Sequence, residues 1–393
     1  MSRYIYVLSF SAIAVSGCKK PYTPSVVAAD NNYLVVEGVI AAGQDSTIIK
    51  LNRTVNLTGK TTYNPELDAT VMVQGDQSVS YSIPQVDSGR YAAPPLNLDN
   101  THKYRLQITT ADGRTYASDY EPVKITPPID TLVYNITNDG LSIYNNTHDP
   151  SNNTRYYRWD YTETYIYTSD MITYYIYDPS QTVDTLKSVL RRPDQQIHTC
   201  YVNLNSSPII LNSTAALKQD VINNNPITQI PKTSEKILHR YSILLRQYAL
   251  TPDAYAFWNI LKRNTQQIGT IFDAQPSEVK GNIHCTSNPS EPVIGYISVS
   301  TISQKRIFID RTELPAWPYP LPTCSFPYPI CWSKGGPVDP DITVGNYIPV
   351  GLVKVGLCGF PPKPGYVVSA GQYNCVDCRY HLGGKTKAPG FWK

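Results

Sequence analysis

"RYYRWDYTETYIY", residues 155–167, decides the fold class, because after its opening tyrosines polar and aromatic side chains alternate at period two. Successive side chains of a strand point to opposite faces, so this spacing predicts an extended strand with one aromatic face and excludes a helix. Such a tyrosine stripe serves either as a half-buried sheet face or as an exposed platform for a protein or sugar. Packing is the preferred reading, since a tyrosine ring buries an apolar body and keeps a polar tip. Tyr161, Tyr165 and Tyr167 remain candidate ligand contacts. Asp160 and Glu163 resemble an acid and base pair, but their odd spacing puts them on opposite faces of a strand.

The same pattern extends in both directions. Downstream, "MITYYIYD" (171–178) is expected to pair with the tyrosine strand as a hairpin through 168–170, and "ILHRYSILLRQYAL" (237–250) reads as a long strand. "EPVIGYISVSTISQKRIFIDR" (291–311) reads as two β runs joined at "TISQ". One strong helix is predicted near 251–267: Thr251 caps it, Pro252 suits its first turn and Asp253 its positive end. Ala254, Phe257, Trp258 and Leu261 form one apolar stripe at helical spacing, suited to packing on a sheet.

Upstream lie seven short β runs, at 33–40, 46–54, 69–74, 78–83, 89–94, 102–109 and 114–123, spaced as in a sandwich. Asp112-Gly113 suits a tight turn between the last two. Residues 87–118 look like an Ig-like or carboxypeptidase-regulatory-like module, with Tyr91 and Tyr104 as buried rings with polar tips. Pro127-Pro128 cannot continue a central strand and marks a boundary. Thirty-two Pro, 22 Gly and 31 Tyr against 3 Met also favour strands and turns. The expected fold is mainly β: an Ig-like sandwich over 32–126, a larger β-rich domain with the helix over 127–313, and a Cys/Pro-rich segment over 314–393.

The N-terminal residues 1–17 read as a signal peptide, with Arg3 followed by an apolar run too short to span a bilayer, which takes about 20 residues. Val15-Ser16-Gly17-Cys18 resembles a bacterial lipobox, so Cys18 is the expected acylated N-terminus and 18–31 a lipidated tether. Acyl chains would hold the domains on a membrane without a spanning helix. Lys19 stands where an acidic residue would retain the protein at the inner membrane, which favours the outer membrane. A net charge of +3 without a basic block gives no support for nucleic-acid binding.

Setting Cys18 aside from the eight cysteines leaves an odd seven: Cys200, Cys285, Cys324, Cys331, Cys358, Cys375 and Cys378. In an oxidising compartment these are disulfide candidates with one left over, and Cys200 with Cys285 is one possible pair. Cys375, Cys378 and His381 have C-x2-C-x2-H spacing, which would suit a metal knuckle or, for the two thiols, a redox pair. No strand-to-helix pattern surrounds them, and a disulfide-stapled, proline-stiffened appendix is the preferred reading. Asp339-Pro340-Asp341 lacks further ligands at calcium-loop spacing, and His198 and His284 read as structural. No nucleophile elbow, zinc-protease motif or phosphate loop is present in the sequence, so no catalytic residue and no cofactor is assigned.

At "YLVVEGVI", "WDYTETYIY", "RYSILLRQYALTPDAYAFWNILKRNTQQIGTIFDAQPSEVKGNIHC", "VIGYISVSTISQKRIFI" and "CVDCRYHLGGKTKAPGFW" the chain resembles the domain-of-unknown-function 4249 family. The resemblance implies a Gram-negative envelope lipoprotein, often encoded beside a TonB-dependent receptor, and supplies no catalytic residues. The expected function is a non-enzymatic outer-membrane accessory or binding subunit of nutrient uptake, with such a receptor as partner. A structural envelope-assembly component is the alternative, and an unrecognised hydrolase ranks behind both.

Overall fold

The computed structural model describes residues 32–55, 63–177, 188–266, 279–318, 324, 328–333, 336–337, 347–350, 354–358 and 363–392. The expected signal peptide, Cys18 and tether, and the Asp339-Pro340-Asp341 turn, lie outside these residues. The fold is mainly β, as the alternating patterns require.

Two sandwiches carry most of the chain. In the first, one sheet runs in the order Ile294–Gly295, Leu34–Ala41, Thr47–Arg53, Arg90–Ala93, Gln85–Asp87. The other runs Ile283–Cys285, Thr115–Ser118, Lys103–Thr109, Thr70–Gly75, Ser80–Ser82. Thr47–Arg53 alternates buried and open side chains, which puts Ile49 and Leu51 in a core shared with Val71, Val73 and Leu106 of the facing sheet. Tyr91 and Tyr104 are buried in that core, with the Tyr91 hydroxyl donating to the Glu66 carbonyl at 3.0 Å and the Tyr104 hydroxyl accepting from the Asp99 N–H at 3.0 Å. At the Asp112-Gly113 turn, Gly113 takes φ +83° in open space, so conformation and not crowding calls for glycine there.

In the second sandwich a three-stranded sheet, Ile129–Thr137, Gly140–Asp149 and Asp220–Pro231, covers a larger one. The larger sheet runs Thr199–Asn205, Tyr156–Thr168, Tyr241–Ala249, Ile302–Ile309, with Ile210–Ser213 also on the tyrosine strand. Tyr157, Trp159, Tyr161 and Tyr165 point into the core between the sheets. Arg158, Asp160 and Thr162 lie on the opposite, outer face.

Several connections differ from expectation for physical reasons. The hairpin partner proposed for the tyrosine strand is corrected: Tyr175–Tyr177 pairs with Ser188–Leu190. After Thr168 the chain is drawn away, as the Ser169 hydroxyl donates to the Val376 carbonyl at 2.9 Å and the Met171 N–H to the Cys375 carbonyl at 2.9 Å. The run 291–311 divides at Thr301, its first part joining the first sandwich and Ile302–Ile309 the second. Thus Ile283–Cys285, Ile294–Gly295 and Ser298–Ser300, from the 127–313 unit, hydrogen-bond to sheets of the 32–126 unit, the last two strands in parallel with Leu34–Ala41.

The helix spans Pro252–Gln266. Thr251 Oγ1 accepts the Ala254 N–H at 3.2 Å and so caps it. Its apolar stripe, led by Ala254 and Phe257, packs with Tyr248 and Leu250 of the second sandwich and with Val39 and Tyr296 of the first. The C-terminal segment adds Lys363–Gln372 with its neighbours Tyr328–Ser333, Tyr347–Pro349 and Lys354–Cys358. It is stapled by the disulfides Cys200–Cys378 and Cys324–Cys375.

Candidate functional site

The residues singled out in the sequence are separated by the fold. Tyr161 and Tyr165 are core rings, 6% and 0% exposed, which corrects their reading as ligand contacts: the period-two face that carries them meets the three-stranded sheet. Tyr167 stacks at 3.8 Å on His381 of the C-terminal segment. His381 Nε2 lies 2.7 Å from Glu235 Oε1, and the Tyr165 hydroxyl donates to the same oxygen at 3.3 Å. These contacts dock the C-terminal segment onto the second sandwich.

The metal and redox alternatives at Cys375, Cys378 and His381 are likewise corrected, since each thiol is used in a disulfide with a different partner. Among the described residues no group of three His, Cys, Asp or Glu is arranged to hold a metal ion. Cys285 is a free, buried thiol in the core of the first sandwich, which corrects its candidacy for a disulfide; Cys200, its suggested partner, lies in the other sandwich and is bonded to Cys378. The side chains of Cys331 and Cys358 lie outside the described residues. Asp160 and Glu163 do not face one space. Glu163 is buried and accepts from Tyr241 at 2.8 Å and Lys236 at 2.5 Å, whereas Asp160 lies on the outer face.

That outer face forms one wall of a cleft of about 960 Å³ between the sandwiches. Arg158, Asp160, Arg246 and Tyr248 line it from the second sandwich; Glu37, Val39, Ile48, Lys50 and Arg90 line it from the first. Phe257, Trp258 and Leu261 of the helix contribute as well. The strands dictate this placement: Lys50 and Ile48 alternate with inward Ile49 and Leu51, and Arg158 and Asp160 alternate with inward Tyr157, Trp159 and Tyr161.

Charge in the cleft is arranged around Asp160 and Arg158. Arg246 Nε donates to Asp160 Oδ1 at 2.6 Å and its Nη2 to Thr162 Oγ1 at 2.9 Å. Burial, the largest single effect, lowers the Arg246 pKa, but the interactions with Asp160 and Tyr248 together outweigh it and leave the pKa above the ordinary value. Burial first, then the Asp160 charge, pushes the Tyr248 hydroxyl up, so it stays neutral and can donate. The Arg158 guanidinium lies 4.4 Å from the Tyr248 ring centre and 4.5 Å from that of Trp258, a cation held between two aromatic faces. Gln304 donates to Asp45 across the two sandwiches. This lining can bind: of its carboxylates Glu37, Asp45 and Asp160, the last is engaged by Arg246 and Asp45 accepts from Gln304.

The cleft is not legible in the aromatic half of the 155–167 alternation, which faces the core. The signal lay in the other half, where Arg158 and Asp160 put charge on a face that the first sandwich confronts.

The family model described as "Domain of unknown function (DUF4249)" matches residues 19–306, more than half of the chain. The chain belongs to that family. The match covers the first sandwich, the cleft lining and the second sandwich as far as the middle of Ile302–Ile309, and stops short of the C-terminal "CVDCRYH". No curated protein matches the chain.

Proposed function

We propose, from that membership, that the chain is a non-enzymatic outer-membrane lipoprotein, an accessory or binding subunit that serves a TonB-dependent receptor in nutrient uptake. The cleft between the sandwiches carries this reading: it joins apolar surface to a few convergent charged groups, the make-up of a small-molecule site. Its lining offers a stacked arginine and an arginine-bound carboxylate, groups suited to recognising a ligand. Acylation of Cys18 supplies the anchor, and the tether that follows lets the binding module reach a partner in the same membrane.

Membrane fractionation with affinity purification tests the proposal. The wild-type chain is expected in the outer-membrane fraction together with a TonB-dependent receptor, and the Cys18→Ala chain in the soluble fraction. Unchanged membrane retention of the variant sinks the anchor, and repeated recovery without a receptor sinks the accessory role.

A further inference from the structure

We infer that the cleft takes a small organic anion with an apolar or aromatic body. This deepens the binding reading above and rests on it. Cations reach the cleft from both walls: Arg158, Arg246, Lys50 and Arg90 line it, against the carboxylates Glu37, Asp45 and Asp160. On the wall of the second sandwich, the faces of the Arg158 guanidinium are covered by Tyr248 and Trp258, and its Nε is buried without a hydrogen-bond partner. Buried donors are nearly always satisfied, so an unpaired one beside a cavity calls for an acceptor. Asp160 sits 3.7 Å from Arg158 Nη2, but its shorter bond, at 2.6 Å, goes to Arg246.

On the opposite wall Lys50 and Arg90 stand directly across from each other on antiparallel strands. Like charges in that position repel. Glu37 lies across from Lys50 on its other side and Asp87 across from Arg90 on its other side, so the surplus of positive charge comes from the Arg158 wall. Between these charged walls lie Val39, Ile48, Ile294 and Leu261, with Ile48 and Ile294 each 36% exposed. An anion with an apolar body would answer both the unpaired Nε of the Arg158 guanidinium and the open apolar surface. A neutral sugar would leave the cations as they are. The cleft volume, about 960 Å³, suits a small molecule.

The test uses two probes that share their rings and differ in charge: anilinonaphthalene sulfonate and the neutral phenylnaphthylamine. Both are titrated by fluorescence into the full chain carrying Cys18→Ala, in detergent-free buffer. The expected result is saturable binding of one sulfonate probe per chain, with the neutral probe weaker by about tenfold, the scale of one charge-assisted hydrogen bond. Arg158→Gln, and separately Lys50→Gln with Arg90→Gln, should each weaken the sulfonate probe by about tenfold and leave the neutral probe unchanged. Lys50 and Arg90 are exposed, so the double variant keeps the test meaningful if Arg158→Gln disturbs folding. Equal affinity for the two probes, or unchanged sulfonate binding in the folded double variant, overturns the preference for anions while leaving the cleft a binding site. Absence of saturable binding by either probe overturns the site itself, and with it the binding role proposed above.

Discussion

Glu121 is 8% exposed, and its Oε1 accepts from the Tyr296 hydroxyl at 2.7 Å and from Asn282 Nδ2 at 3.1 Å. Burial pushes its pKa up more strongly than the two hydrogen bonds pull it down. The folded state therefore binds this proton more tightly than the unfolded state, whose carboxyl titrates near 4.5. Above the folded pKa both states are ionised and the full desolvation cost is present; it fades as pH falls through the folded value and is gone below the unfolded one. Glu121→Gln keeps an oxygen acceptor and removes the charge. It should equal or exceed the wild type in urea midpoint at neutral pH, with the advantage shrinking toward pH 4.5. An advantage that grows on acidification would refute the sign. At this scale the sequence disclosed the buried Tyr91 and Tyr104, because ring size and strand alternation are local. It did not disclose that Cys200 bonds Cys378, 178 residues away, because that pairing depends on where the C-terminal segment docks.

Single elements were legible where their signals are local. The helix runs over Pro252–Gln266 against an expected 251–267, since its cap, first-turn proline and apolar stripe all lie within it. Thr251→Ala removes the acceptor for the Ala254 N–H and should cost about 1 kcal/mol in equilibrium unfolding. Because Trp258 of this helix stacks on Arg158 and its neighbour Phe257 packs on Tyr296, the loss should appear in unfolding of the whole structured chain and not as local fraying. A wild-type urea midpoint for Thr251→Ala would show that packing alone holds the first turn. The hairpin proposed after Thr168 illustrates the opposite case. Its sequence has good strand character, yet the polar grip of Val376 and Cys375 on Ser169 and Met171 redirects the chain, and no spacing within 155–178 encodes a contact made two hundred residues later.

At the scale of the molecule, the alternation implied one sandwich and a second β-rich domain, but neither that the second is also a sandwich nor how the two are joined. The chain crosses between them near Thr126 and again near Thr301, and the crossings are bonded: the Thr126 N–H donates to Thr301 Oγ1 at 2.8 Å, and the Thr126 hydroxyl donates to the Thr301 carbonyl. The returning segment completes the first core with Ile283, Ile297 and Val299, which are 4%, 0% and 1% exposed. At about 1.5–3 kcal/mol for each buried side chain, these three contribute on the order of 5–9 kcal/mol. That is comparable with the entire net stability of an ordinary domain, about 5–15 kcal/mol. A fragment of residues 32–126 should therefore lack a cooperative thermal transition, although Pro127-Pro128 makes it look separable in sequence. The intact chain should unfold its two sandwiches in one calorimetric transition, since neither can open without releasing the Thr126 and Thr301 crossing or the strands that return to Leu34–Ala41. A fragment that melts sharply near the temperature of the parent would show that 283–300 decorates a domain already complete. The cleft would then lie between independent bodies free to move, and the spacing of Lys50 from Arg158 would no longer be fixed by the fold.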